Sequence, residues 1–166
     1  RLIAGMIALK AAPLSRAKLN IIPVDSAGKA IVELGQNPSI YKKSFIFNIV
    51  NPQDVAWKDI VSWISSTEVE GPWSEALKAL AKPLQFKLWW DFVLMELEKS
   101  QQQANQLTQM LMGLMLFSDG IPDEDSHYSL ANTVNYLKRQ PSQKIDQAMT
   151  STLVKYILST PAFEKL

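Results

Sequence analysis

Cysteine is absent from the 166 residues. That excludes disulfides, thiolate metal ligands and a cysteine nucleophile, and it leads us to expect a cytoplasmic protein. Histidine occurs once, as His127 behind Asp123, Glu124 and Asp125. A metal centre needs several ligands converging on one point, so this stretch reads as a solvated loop with Asp125 or Ser126 capping the next helix, and no metal is expected. Charge of one sign is also lacking: 17 Lys and Arg against 16 Asp and Glu leave a net charge of +1. Without a long-range field, neither nucleic acid nor an anionic membrane is an expected partner, and Lys42-Lys43 and Lys138-Arg139 read as solvated faces. The nearest candidate for a membrane span, Met110 to Phe117, falls well short of the roughly 20 residues needed and reads as a buried helix. No signal-peptide pattern opens the chain. The six glycines, at 5, 28, 35, 71, 113 and 120, never take the spacing that brings backbone against a pyrophosphate at a helix N-terminus. No GxSxG nucleophile elbow is present either, which leaves an independent hydrolase without its motif.

What is there is ordinary globular material, 47% apolar and 20% charged, enough for one core or one lobe of a larger domain. Leu2, Ile3, Met6, Ile7 and Leu9 give a helical spacing that Pro13 stops. Leu19 to Val24 reads as a strand, after which Asp25 stands where an N-cap belongs. Ala27, Ala30, Ile31 and Leu34 supply the buried face of that helix and Gly35 its close. Ser44 to Val50 reads as a second strand, apolar on both faces, and Thr67 to Gly71 as a third. Asn51-Pro52 turns the chain, and Val55 to Ile64 is helical. From Pro72 onwards only helix is expected: 73–81, 84–102, 106–117, 128–139 and 142–159. The fold class is therefore mostly α with two or three short strands. It divides into a strand and helix part, 1–71, and a helical cap, 72–166.

In order and spacing these landmarks resemble the C-terminal lobe of thioester reductase domains. Those domains terminate peptide and polyketide synthetases, belong to the extended short-chain dehydrogenase/reductases, and are related to carboxylic acid and aminoadipate reductases. The resemblance rests on a leading helix (Arg1 to Ala12) and a strand closing on Pro23-Val24-Asp25 before a helix. It continues in a strand with an Asn-Pro turn and amphipathic helix (Phe45 to Ile64), the Asn132-Thr133 pair opening a helix, and the closing stretch Leu153 to Leu166. Asn48, where relatives often carry His, and Gly28, where a larger residue is common, depart from it.

The resemblance implies a substrate-binding lobe whose Rossmann lobe lies upstream. The parent enzyme would use NADPH to release an acyl or peptidyl chain, held on the phosphopantetheine arm of a carrier protein, as aldehyde or alcohol. Chemistry itself is missing here. The family's Tyr-x-x-x-Lys is absent, because the residues four after Tyr41, Tyr128, Tyr136 and Tyr156 are Phe45, Asn132, Gln140 and Thr160. No cofactor is expected on this chain, which alone should be inactive. The start without Met, inside a helical pattern, is what a piece of a longer polypeptide would show. Substrate-lobe candidates are Pro23, Val24, Asp25, Trp89, Trp90, Met110, Met112 and Met115, the last five on helices apolar round much of their circumference. Trp57, Trp63 and Trp73 read as core and rim packing. Lys10, Arg16 and Lys18 are candidates for docking an acidic carrier protein. Apolar strand faces lacking their neighbour would make a homodimer of the fragment. The competing readings are a non-catalytic helical module that docks a carrier protein or similar partner, and another extended dehydrogenase/reductase.

Overall fold

The computed structural model of the chain describes residues 2–40, 46–101, 106–121 and 128–164. In chain order its first elements are α1 (Leu2–Leu9), β1 (Pro13–Leu14), β2 (Lys18–Leu19), α2 (Val24–Gly35), β3 (Val55–Ala56), α3 (Trp57–Ser65) and α4 (Trp73–Ala79). There follow β4 (Leu84–Gln85), α5 (Phe86–Gln101), α6 (Gln106–Leu114) with a 3-10 turn Met115–Phe117, α7 (Ala131–Leu137), α8 (Gln147–Leu158) and α9 (Pro161–Glu164). Two compact units result: one of Arg1–Ala17, Ala56–Pro122 and Asp146–Leu166, the other of Lys18–Val55 and Asp123–Ile145. Each draws on both sides of residue 71, so the units follow a different line from the expected passage of strand into helix.

The first unit is held by apolar helix packing. Met6, Ile7 and Leu9 of α1, Trp57, Ile60, Val61 and Ile64 of α3, Leu77 of α4, Trp89 and Val93 of α5, and Leu111 and Leu114 of α6 are all buried. Helix α1 lies against α6 and α4, and α3 against α8. Gly5 shows how close the first pair comes: a Cβ there would meet the Leu114 side chain at 2.8 Å. Two indoles tie this core to the backbone beside β1. Trp89 Nε1 donates to the Ala11 carbonyl (3.1 Å) and Trp57 Nε1 to that of Pro13 (2.7 Å). β1 pairs in parallel with β4, Pro13 opposite Leu84.

Helix α1 stops earlier than Pro13 requires. Lys10 takes a left-handed φ of 56°. Its N–H reaches the Ile7 carbonyl (3.1 Å), and the next N–H, of Ala11, reaches that of Met6 (3.1 Å). This is the two-bond Schellman closure, with lysine where glycine usually stands. A side chain in that conformation costs about 1 kcal/mol, so Lys10→Gly should stabilise the chain by about 0.5–1 kcal/mol in thermal or urea unfolding.

The second unit has a smaller apolar core, around Ala30, Leu34, Val55 and Ile145, and relies on side-chain amides. Of the expected strand Leu19 to Val24, only Leu19 belongs to one, β2, paired with β3. Residues 46–50 of the expected second strand take no regular secondary structure and form no ladder among the described residues, while Ser44 and Phe45 lie outside them. Backbone groups there bond to side chains instead: Asn132 Nδ2 donates to the Ile46 carbonyl (3.1 Å) and Thr133 Oγ1 to that of Asn48 (2.8 Å). Asn48 Nδ2 donates in turn to the Ser129 carbonyl (3.0 Å). An alternating apolar sequence makes a strand only beside a partner edge, which supplies the missing ladder bonds. Thr67 to Gly71 is likewise no strand; Thr67 Oγ1 turns back to the Trp63 carbonyl (2.9 Å).

Two further expectations at α2 are corrected. Pro23 is the cap residue, Asp25 lies inside the first turn, and no side chain caps the helix. Proline supplies the extended φ for entry without a donor to satisfy, which leaves Asp25 to complement the helix dipole. Gly35 is the last helical residue and the closing position, Gln36, is right-handed. A side-chain cap does occur at α8, where Asp146 accepts from the Met149 N–H (3.0 Å), so that helix starts at 147 and not 142.

Candidate functional site

An open groove of about 560 Å3 runs across the first unit, lined by Ala4 of α1, Gln109, Met110 and Met112 of α6, Ile157 of α8, and Thr160, Ala162 and Phe163 at α9. Its size falls within the roughly 300–1,000 Å3 of small-molecule sites. Helix α1 meets α6 closely at Gly5 and contributes Ala4, beside it, to the lining. One wall is pinned by Phe163, buried and edge-on to Trp73 at 5.0 Å between ring centroids. Met112 is 59% exposed. Its unbranched thioether can swing over whatever enters.

The groove's polar groups are few. Gln109 offers an exposed amide. The Thr160 hydroxyl donates to the Ile157 carbonyl (2.7 Å), which leaves its oxygen able to accept. Among the described residues none of the lining side chains titrates near neutral pH, and the mainly apolar lining suits an aliphatic ligand. Among the described residues no cluster of three or more His, Asp or Glu could hold a metal. His127 with Asp123 to Asp125 lies outside them.

The candidates read from the sequence separate. Met110 and Met112 line the groove, whereas Met115, 42% exposed on the 3-10 turn, does not. Trp89 is fully buried in the core. Trp90 is half-buried and stacks parallel to Phe86 at 6.4 Å. Pro23, Val24 and Asp25 lie in the second unit, with Val24 87% exposed. Lys10 and Arg16 are exposed in the first unit and Lys18 in the second. Sequence reasoning missed Ala4, Ile157, Thr160, Ala162 and Phe163, which come from both ends of the chain and carry no motif. Of the other expected packing residues, Trp57 is 2% exposed, and Trp63 and Trp73 are half-buried.

A smaller cleft of about 190 Å3, between Pro13 to Ser15, α3 and Ala81 to Pro83, is edged by Lys58, Ser62 and Ser65. The glycines offer no cradle for a dinucleotide. Gly5 is filled by Leu114, Gly28, Gly35 and Gly113 lie within helices, and Gly71 and Gly120 sit in positive-φ turns.

No protein-family profile matches the chain, and no curated protein is similar to it in sequence. A solved structure does share its fold: the crystal structure of the terminal R domain from the myxalamid PKS-NRPS biosynthetic pathway, with a TM-score of 0.67 and 23% identity. The similarity covers 95% of this chain and 36% of that one, so the chain spans about a third of the R domain's length. The mostly helical fold expected from the resemblance to a thioester reductase lobe is the fold observed. Among the described residues no helix is long and apolar enough to cross a membrane.

Proposed function

We propose that this chain is the acyl-holding lobe of an NADPH-dependent thioester reductase, which releases an acyl or peptidyl chain from a carrier protein as aldehyde or alcohol. The observation that carries the reading is the shared fold with a terminal R domain over 95% of the chain. The apolar groove on α6 gives the acyl chain a seat in this reading. Met110 and Met112 would contact its methylenes, and Gln109 and Thr160 would offer polar contact. Hydride would come from the cofactor bound upstream. The residues present here do not fit a dinucleotide, so this chain's part is to bind, orient and exclude water from the thioester's tail.

Three measurements test it. Titrated with NADPH, the 166-residue chain should show no saturable binding. The full-length parent polypeptide, given an acyl-phosphopantetheine thioester and NADPH, should consume cofactor and release the acyl group. In that parent, Ala4→Phe fills the groove floor and should raise KM for long acyl chains about tenfold more than for short ones, since each buried methylene is worth about 0.8 kcal/mol. Saturable NADPH binding by this chain alone would overturn the reading. So would a parent with no glycine-rich strand-turn-helix and Tyr-x-x-x-Lys ahead of Arg1.

A further inference from the structure

Helix α2 has two apolar faces, and among the described residues only one is buried. Ala30 and Leu34 are buried in the second unit. Roughly a third of the way round the helix runs a second stripe, Val24, Gly28, Ile31, Val32 and Gly35, at the i, i+4, i+7, i+8, i+11 spacing of a helix seam. Its branched residues are open to solvent: Val24 is 87%, Ile31 59% and Val32 56% exposed. A Cβ added at Gly28 or Gly35 would meet nothing within 4 Å, so the stripe is shallow in its middle. Asp25 and Lys29 flank it on its outer side. Both are exposed, and neither has an ion-pair partner among the described residues.

Those two charges identify an occupant. When two copies of one helix cross antiparallel about a two-fold axis, the same flank of each meets, running in opposite directions. Centred near Gly28, this sets Val24 of each copy against Val32 of the other and brings the two glycines to the crossing point. It also carries Asp25 of each copy to within reach of the other's Lys29. A parallel two-fold pairing would instead put this flank of each copy on opposite sides of the seam, where Asp25 and Lys29 of one copy meet neither charge of the other.

We propose that the chain self-associates through α2 as an antiparallel, two-fold symmetric helix pair, with Gly28 at the crossing and reciprocal Asp25–Lys29 ion pairs along its rim. This is a different face from the apolar strands expected to drive dimerisation, and the proposal does not depend on the reductase reading. One helix pair is a small interface, so association is weak and reversible. Rim ion pairs make it weaken as salt is added.

Sedimentation equilibrium of the 166-residue chain over a concentration series tests this. Ile31→Glu puts a charge into the seam and should weaken association by more than about tenfold. By symmetry Asp25→Lys or Lys29→Asp alone creates two like-charge contacts, and each should weaken it by about three- to tenfold. The double exchange, D25K with K29D, should restore it to within about twofold. All three positions are exposed, and an unchanged far-UV circular dichroism spectrum checks that each variant is folded. A chain that stays monomeric throughout overturns the proposal and leaves the stripe to a different polypeptide. So does association that ignores Ile31→Glu. Failure of the double exchange to restore what the single ones lose overturns the antiparallel register.

Discussion

Trp89→Ala should lower the stability of the chain by about 3–5 kcal/mol, the range for removing a fully buried aromatic. The indole is 0% exposed, packs against Phe86 and Trp90, and donates to the Ala11 carbonyl. Truncation therefore opens a cavity in the first unit and leaves a backbone acceptor beside β1 without its donor. Trp89→Phe separates the two effects. It keeps most of the ring and loses the hydrogen bond, for about 1–3 kcal/mol. Trp90→Ala, at a half-buried site, should cost less than Trp89→Ala. Urea midpoints for the three variants give the order, and an equal effect at 89 and 90 would contradict the placement of Trp89 in the core. The sequence offers both tryptophans as acyl contacts; the burial of Trp89 makes its replacement a stability experiment.

The second large effect is expected in the other unit. Asn51 is 3% exposed and uses its whole amide. Nδ2 donates to the carbonyls of Ile21 (2.9 Å) and Gln143 (3.2 Å), and Oδ1 accepts from the Gln53 N–H (3.0 Å). Its backbone is clasped by Asn20, whose Oδ1 accepts from the Asn51 N–H (2.8 Å) and whose Nδ2 donates to the Asn51 carbonyl (2.9 Å). One side chain thus joins three stretches of chain, around residues 21, 53 and 143. Asn51→Ala leaves two carbonyls and one N–H without partners and should cost about 2–4 kcal/mol. Asn51→Asp keeps the acceptor but aims anionic oxygen at two carbonyl oxygens. It should cost at least as much at neutral pH. Because burial against those oxygens favours the protonated carboxyl, part of the loss should return as pH falls. A denaturation series against pH checks both size and sign. A wild-type-like Asn51→Ala would mean that the clasp is not what holds the segments around 20 and 51.

Much of this architecture was legible beforehand. Helices α1 to α7 were expected to within a few residues, because apolar spacing at 3.6 residues is a local property that survives without knowledge of neighbours. The Asn-Pro turn and the Asn132-Thr133 pair were also picked out. Their work was not: as side chains that hold irregular backbone, they become intelligible only once 46–48 is seen beside the start of α7. Strands failed where helices succeeded, since a strand needs a partner that an alternating sequence does not name. The groove was half legible. Met110 and Met112 announced themselves by type, while Ala4 and Phe163, at opposite ends of the chain, carry no signal until α1 and α9 meet the same helix.

Composition and motif alone therefore determined that this polypeptide lacks the glycine turn and Tyr-x-x-x-Lys of a hydride-transfer site, and that it folds mainly as helix. Those are properties of residue type and short spacing, which no packing can alter. Only the tertiary structure decided which tryptophan is core, which methionines open to a groove, and that an asparagine clasp stands where a sheet was expected. Each of these depends on which residues distant in sequence become neighbours, and burial and hydrogen-bond satisfaction are settled between neighbours in space.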